Sequence, residues 1–143
     1  MDIANEGLSA LSAYRTVAGI GATPEEFMKM AIDAVQAFLR QAEIGIAAGD
    51  RPTKAKALCS AGKIVEFMLG VSGSDPGPLS DCLAQVYRYV LAAILRGNAA
   101  DDAEAVAAGR VVMEQLATVW RRAFPKLDGS QIEGPADLEK RDG

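Results

Sequence analysis

Residues 13–39 decide the fold, and they read AYRTVAGIGATPEEFMKMAIDAVQAFL. A helix start stands at Thr23-Pro24-Glu25-Glu26. The threonine hydroxyl can accept a hydrogen bond from a free backbone N–H, proline fits the first helical position, and the carboxylates meet the positive end of the helix dipole. The spacing of the apolar residues that follow predicts an amphipathic helix from Pro24 to about Ala48. This helix is apolar on more than one face, which indicates a partner besides its own core.

Three further helices follow the first. The second helix begins at Arg51-Pro52-Thr53 and runs to about Gly70. The third helix runs from about Leu79 to Arg96 and ends at Gly97-Asn98. Asp101 or Asp102 caps the fourth helix, which ends near Phe124 before Pro125. Helices of similar length with short connections predict an all-α fold, an antiparallel up-down-up-down four-helix bundle with a short N-terminal segment packed on it. We assign residues 1–22 to an N-terminal cap segment, 23–125 to the bundle and 126–143 to a flexible C-terminal tail.

Each predicted helix has one stripe of apolar residues that we expect to face the core. The stripes are Phe27, Met30, Ala31, Ala34, Phe38 and Ala42; Leu58, Ala61, Gly62, Val65 and Leu69; Leu79, Leu83, Val86, Val90 and Ala93; and Val106, Met113, Ala117, Trp120 and Phe124. Because glycine weakens a helix interior, we expect Gly62 to mark a close helix–helix contact. Asp33 is expected to face solvent.

The composition excludes several classes of protein. The 143 residues are 50% hydrophobic and 24% charged, as in a globular domain, and the net charge of -4 comes without the basic stripe of a nucleic-acid binder. We expect no secretory signal and no direct membrane insertion, because neither a signal pattern nor a long apolar run is present. Cys59 and Cys82 fit no metal or redox spacing and are expected to be buried in a reducing cytosol.

The sequence contains no histidine, and this absence excludes more kinds of catalytic and metal site than any other feature of the composition. Di-iron bundles use Glu-x-x-His pairs, haem bundles usually need an axial histidine, and a histidine-based nucleophile triad is impossible here. No glycine pattern supports a phosphate loop. We therefore expect no catalytic residues, no metal and no cofactor.

Three helices have more apolar surface than one stripe requires. The surplus residues form a shoulder on each: Met28, Ile32, Leu39 and Ile46 on the first, Ile64, Phe67 and Val71 on the second, and Tyr87, Leu91 and Leu95 on the third. A large exposed apolar patch often marks a partner site, and grooves between helices suit amphipathic partner helices. The alternative is a wide stripe that is simply buried, under the N-terminal segment or in a homodimer.

The chain resembles the flagellin export chaperones of the FliS family in several landmarks that occur in the same order. The lone Tyr14 stands ten residues before Pro24, and the first-helix pattern is resembled by ATPEEFMKMAIDAVQAFLRQA. The end of that helix is resembled by IAAGD at 46–50, and the third-helix motif by CLAQVYRYV at 82–90. Trp120 resembles the tryptophan that closes the last helix. The resemblance covers residues 13 to about 124.

The resemblance implies a small cytoplasmic helical bundle without enzymatic activity. Such a protein binds the C-terminal helices of flagellin, prevents premature polymerisation and aids delivery to the export gate. It also implies that Tyr14, Val17 and Ile20 lie over part of the flagellin site as a movable cover. In this interpretation Tyr14 also contacts the export-gate membrane protein. The alternative is that Tyr14 is an ordinary anchor that pins the N-terminus. We expect a monomer or a weak homodimer.

The chain departs from the family pattern at several places. Ala31-Ile32-Asp33-Ala34 stands where the family usually has Leu-Tyr-Asp-Gly, and RGNAADD is a reduced form of the stretch after the third helix. Glycines at 45, 62 and 109 loosen helix interiors. Two alternatives stay open: a diverged regulator or co-chaperone that binds an anti-sigma factor or another chaperone, and an enzyme or small-molecule sensor, which would need an enclosed polar pocket.

Overall fold

Four α-helices and a short 3₁₀ turn account for most of residues 23–73 and 77–127, the part of the chain that this computed structural model describes. The helices are α1 (Pro24–Ala48), α2 (Arg51–Gly73), α3 (Pro78–Ala100) and α4 (Ala103–Ala123), and the turn is Pro125–Leu127. Each helix packs against its neighbours in sequence, and α1 also packs against α4, so the four close into a ring. The predicted all-α four-helix bundle is confirmed. The predicted N-terminal cap segment, 1–22, and nearly all of the predicted tail lie outside the described residues.

Side chains that join the ends of neighbouring helices show that the bundle is antiparallel. Near the end of α4, Trp120 Nε1–H donates to the carbonyl oxygen of Glu25 at the start of α1, at 3.1 Å. At one end of the α2–α3 pair, the Ser72 hydroxyl donates to the carbonyl oxygen of Ser80, at 2.8 Å. At the other end, Lys54 Nζ donates to the carbonyl oxygen of Asn98, at 3.0 Å. These contacts require an up-down-up-down order.

The first helix begins and ends where the sequence predicts. The Thr23 hydroxyl accepts a hydrogen bond from the Glu26 backbone N–H at 3.1 Å, which satisfies one of the free donors of the first turn. After Ala48, Gly49 takes the left-handed conformation with φ 68°, and its N–H caps carbonyls of the last turn.

Aspartates begin the second and fourth helices. The Asp50 carboxylate accepts hydrogen bonds from the hydroxyl and the backbone N–H of Thr53, at 2.6 and 3.1 Å, and these two bonds lower the pKa of Asp50. Asp102 accepts from the backbone N–H of Ala105 at 3.0 Å, so Asp102 rather than Asp101 is the N-cap of α4.

The third helix is longer than predicted, because Gly97 does not end it. The helix continues to Ala100, and Asp101 takes the left-handed conformation with φ 52°. Gly97 is buried, and a Cβ built on it would overlap Val106 Cγ2 of α4. This glycine therefore allows two helices to approach closely. Gly45 and Gly109 also lie in close contacts, whereas a Cβ on Gly62 would meet nothing nearer than Ile94 Cγ2 at 3.9 Å, so the predicted close contact at Gly62 is wrong.

The core contains both the predicted stripes and part of the predicted shoulders. Its fully buried large side chains are Tyr87, Ile32, Leu39, Leu58, Ile64, Met68, Met113, Val35, Val65, Val90 and Val106. Each helix of a ring faces two neighbours, so its apolar sector must be wider than a single stripe.

Several predicted positions differ from the structure. Phe27 and Phe38 are half-buried against the core instead of central to it, and Leu79 is 73% exposed. Both cysteines are exposed, so the expected burial of Cys59 and Cys82 is wrong. Leu127 is buried in the 3₁₀ turn, which packs on α1 and α4, so the folded part extends past the predicted boundary at residue 125.

Candidate functional site

A groove runs along the outer face of the α2–α3 pair, and we name it the α2–α3 groove. Its first half, the apolar half, has a volume of about 400 Å³ and is lined by Leu58, Cys59, Gly62, Lys63, Glu66, Leu91, Ile94, Leu95 and Asn98. Its second half, the polar half, has a volume of about 440 Å³ and is lined by Leu69, Ser72, Gly73, Ser80, Asp81, Ala84, Gln85 and Arg88. The two halves follow one another because their lining residues continue at helical spacing along the same faces of both helices.

Gly62 opens the apolar half of the groove. On the same face, Leu58 lies one helical turn before Gly62 and Leu69 two turns after it, and both carry bulky side chains, whereas Gly62 carries none. The nearest atom to a Cβ at this position is Ile94 Cγ2 at 3.9 Å, so neither backbone nor side chain fills the space. The missing side chain leaves a depression with an apolar floor and walls.

Leu95 gives the edge of the apolar half an exposed apolar surface to which an apolar partner can bind. Its side chain is 70% exposed, and the neighbouring Leu91 is half-buried. Contact with another apolar surface would remove both from water, which favours association at about 25 cal/mol per Å² buried. An amphipathic helix that presents residues at i, i+3, i+4 and i+7 can supply such a surface.

The residues predicted for partner binding divide into three groups. Ile32, Leu39, Ile64 and Tyr87 are 0–1% exposed, so the expectation that they lie on surplus surface is wrong: they are core side chains of the described bundle. Met28, Ile46, Phe67 and Leu91 are half-buried against the core, whereas Val71 and Leu95 are exposed. Tyr14, Val17 and Ile20 lie outside the described residues.

Two of the buried or half-buried aromatic residues have structural roles. Loss of water around the Tyr87 hydroxyl raises its pKa to about 12, so the phenol stays neutral throughout the physiological range. The Phe67 ring packs edge-on against the Phe27 ring with centroids 6.3 Å apart, which ties α2 to α1.

Of the predicted shoulder residues, the structure brings only Leu91 and Leu95 together in the apolar half. Cys59, Gly62 and Ile94 also line it, and the sequence did not single them out for this role. The one sequence feature that pointed to the groove is Gly62. A glycine inside an otherwise apolar helix marks either a close helix–helix contact or open space, and the spacing of the apolar residues does not distinguish the two.

Two absences are shown for the described part of the chain, and both are limited to residues 23–73 and 77–127. Asp33 is exposed, as expected, and forms an ion pair with Lys29 at 2.6 Å. Within residues 23–73 and 77–127, no cluster of acidic or cysteine side chains is arranged to hold a metal ion. In the same part of the chain, no helix is long and apolar enough to cross a membrane.

An open apolar groove on a small antiparallel helical bundle is a surface to which a helix of another protein can bind. The family described as "Flagellar protein FliS" matches residues 7–127 of the chain. The chain belongs to the FliS family, a chaperone family rather than a family of enzymes. It is 27% identical over 124 residues to the "Flagellar secretion chaperone FliS" of Salmonella typhimurium strain LT2, an alignment that covers 82% of this chain and 92% of that protein.

Proposed function

We propose that this protein is a cytoplasmic flagellar export chaperone that binds the C-terminal segment of flagellin. Binding in the α2–α3 groove covers the apolar face of that segment, which prevents polymerisation before delivery to the export gate. Membership in the FliS family and the similarity to the Salmonella secretion chaperone support this proposal.

The observation that carries the proposal is the open apolar half of the α2–α3 groove. The exposed edge at Leu95 and the depression at Gly62 give a helix somewhere to place its apolar side chains. The proposed role is to hold the partner and to release it unchanged. A segment that becomes helical on binding loses conformational freedom, and this cost lowers its affinity but keeps the complex reversible.

Calorimetry with the C-terminal segment of the flagellin from the same organism tests the proposal. We expect one-to-one binding, a strongly negative heat-capacity change and a gain of helix in the segment by circular dichroism. The N-terminal segment of the same flagellin serves as a control and should not bind. A folded chaperone that shows no binding to the C-terminal segment at concentrations of about 50 µM would overturn the proposal, since this corresponds to less than about 6 kcal/mol of binding free energy.

A pair of charged substitutions tests the place of binding. Leu95→Lys puts an ammonium group at the edge of the groove, and we expect it to weaken binding by about tenfold or more. Val119→Lys is the matched control, because Val119 is 59% exposed and lies on α4, away from the groove. Both variants should keep the stability of the parent, and equal losses of affinity would place the flagellin site elsewhere.

A further inference from the structure

The outer face of the α3–α4 pair, which we name the α3–α4 face, is a second apolar surface of the bundle. Tyr89 of α3 lines the seam between the two helices together with Ala105 and Ala108 of α4, and Tyr89 is 51% exposed. Val111 and Val119 continue this side of α4 at helical spacing and are 44% and 59% exposed. Large apolar side chains that share one face and remain in water often mark a partner site.

A stripe of residues on α4 is arranged symmetrically along the helix. Its positions follow one another in alternating steps of four and three, and all are exposed or half-buried: Glu104, Ala108, Val111, Gln115, Thr118 and Arg122. This spacing is typical of the seam of a coiled coil, which packs against another helix. The stripe is centred on Met113, so in an antiparallel pair of α4 helices Ala108 meets Thr118 and Val111 meets Gln115.

The register of α3 against α4 places Tyr89 at the centre of the same stripe. A Cβ on Gly109 would lie 3.1 Å from Ala93 Cβ, so these two residues are at the same level. The helices are antiparallel, so Tyr89, four residues before Ala93, is level with Met113, four residues after Gly109. A two-fold axis at this level brings Tyr89 of one copy toward Tyr89 of the other, where the two rings can stack.

The ends of the stripe carry opposite charges. Glu104 and Arg122 are both exposed, and neither forms an ion pair with another group in residues 23–73 and 77–127. They stand 18 residues apart, about 27 Å along one helix, which is too far for an interaction within one chain. Of the other charged groups on the seam, Asp102 is used as the cap of α4, and Arg96 lies level with Cys82 of the second copy, so no cation faces it.

We propose that two copies of this chain associate through the α3–α4 face, antiparallel about a two-fold axis at the level of Tyr89, with Glu104 of each copy paired to Arg122 of the other. A two-fold interface must be self-complementary, and the symmetric stripe meets this condition. A parallel arrangement would set Glu104 against Glu104 and Arg122 against Arg122, so charge selects the antiparallel one. The inference does not rest on the proposed function, because none of these residues lines the α2–α3 groove.

Sedimentation equilibrium of the full-length chain tests the association. The side chains in the middle of the stripe are small and the interface is short, so we expect a weak dimer with a dissociation constant on the order of 100 µM. The weight-average mass should rise above the 15.0 kDa of one chain as the concentration increases from about 10 µM to about 1 mM. A mass that stays at 15.0 kDa over this range overturns the proposal.

Two substitutions of opposite sign test the register. Glu104→Arg and Arg122→Glu each place like charges at both ends of the stripe, and we expect each to weaken association by about tenfold or more. An equimolar mixture of the two variants should associate again, because a mixed pair has opposite charges at both ends. Arg121→Glu is the matched control: Arg121 is exposed next to the stripe on the same helix and donates to the Thr118 hydroxyl, and its loss should leave association unchanged.

The mixture distinguishes the proposed register from a general effect of charge. If the mixture stays monomeric, or if Arg121→Glu weakens association as much as Arg122→Glu, the antiparallel register is wrong and the proposal is overturned. Urea unfolding confirms that each variant is folded. All the variants should bind the flagellin C-terminal segment with the affinity of the parent, so a failure of this proposal leaves the proposed function standing.

Discussion

At the scale of single residues, Gly97 controls how closely α3 approaches α4. A methyl group at this position would overlap Cγ2 of Val106, whose side chain is fully buried and, being β-branched, has few alternative rotamers. The packing of the two helices therefore depends on the absence of one side chain. Glycine is a poor helix former, and the fold accepts that cost because close packing offsets it.

We predict that Gly97→Ala destabilises the protein by about 1–3 kcal/mol, the usual cost of overpacking a core. The matched control is Gly70→Ala on α2, where a Cβ would meet nothing within 4 Å and helix propensity should add about 0.5–1 kcal/mol of stability. Urea unfolding of both variants measures the free energies. A stable Gly97→Ala variant would contradict the close contact with Val106.

Asp101 links pH to the stability of the bundle. Its hydrogen bond from Lys54, at 2.5 Å, holds the pKa of Asp101 below the usual 3.8. Since the folded-state pKa is the lower one, the charged carboxylate stabilises the fold above the unfolded-state pKa, and this contribution is lost as the pH falls through the folded-state value. The left-handed backbone of Asp101 also suits asparagine, so the amide can replace the carboxylate without backbone strain.

We predict that Asp101→Asn lowers the urea midpoint at pH 7 and that the difference from the parent shrinks as the pH falls below 3.8. In a Lys54→Met background, the same substitution should lose most of this pH dependence, because the main partner of the carboxylate is gone and only the exposed Arg51 guanidinium, 4.0 Å away, remains. Chemical denaturation at a series of pH values makes the comparison. A difference that stays constant with pH would show that packing, and not charge, causes the loss.

At the scale of the helices, the sequence predicts helix ends well where capping residues determine them. Thr23 and Gly49 bound α1 as expected, because capping is chemistry between residues close in sequence. The end of α3 was predicted too early at Gly97, because its close contact is with Val106 of the next helix, and local sequence gives no signal of it. Helix propensity is a property of a single helix, whereas the effect of a buried glycine depends on how closely the neighbouring helix packs against it.

The candidate site was predictable only in part for the same reason. The excess of apolar residues on α1 is real, but Ile32 and Leu39 are buried because each helix of a closed ring has two neighbours. A helical wheel gives the angle of a side chain and not the number of helices around it. Leu95 was identified correctly as surplus surface, but the depression beside it comes from Gly62, where no side chain exists to form a pattern.

A larger side chain at Gly62 would fill the depression, and its effect on partner binding can be distinguished from its effect on stability. We predict that Gly62→Leu leaves the free energy of unfolding unchanged or raises it by up to about 1 kcal/mol, since the space is open and leucine is the better helix former. The same leucine would occupy the apolar half of the groove and reduce affinity for the flagellin C-terminal segment by about tenfold or more. Gly70→Leu, on the same helix with open space around it, provides the matched control. Unchanged affinity in the Gly62 variant would mean that the segment binds elsewhere.

At the scale of the whole molecule, a groove that must accept a partner is also a liability before the partner arrives. Exposed apolar surface promotes self-association, and a chaperone that aggregates cannot hold its client. A cover supplied by the same chain solves this problem, because a tethered segment is always available at high local concentration and still leaves when a stronger ligand competes. Residues 1–22, with Tyr14, Val17 and Ile20 at intervals of three, are the segment predicted to serve in this way.

The thiols of Cys59 and Cys82 allow this prediction to be tested without any substitution. Both are exposed in the described bundle, but only Cys59 lines the groove. If the N-terminal segment covers the apolar half, alkylation of Cys59 should be slower than that of Cys82 in the full chain, and deletion of residues 1–20 should accelerate Cys59 alone. The same deletion should leave the affinity for flagellin level or raise it, because the competing segment is gone. A Cys59 rate that is identical in the two proteins would exclude a cover over this half of the groove. A large loss of affinity on deletion would instead mean that Tyr14 and its neighbours contact the client directly.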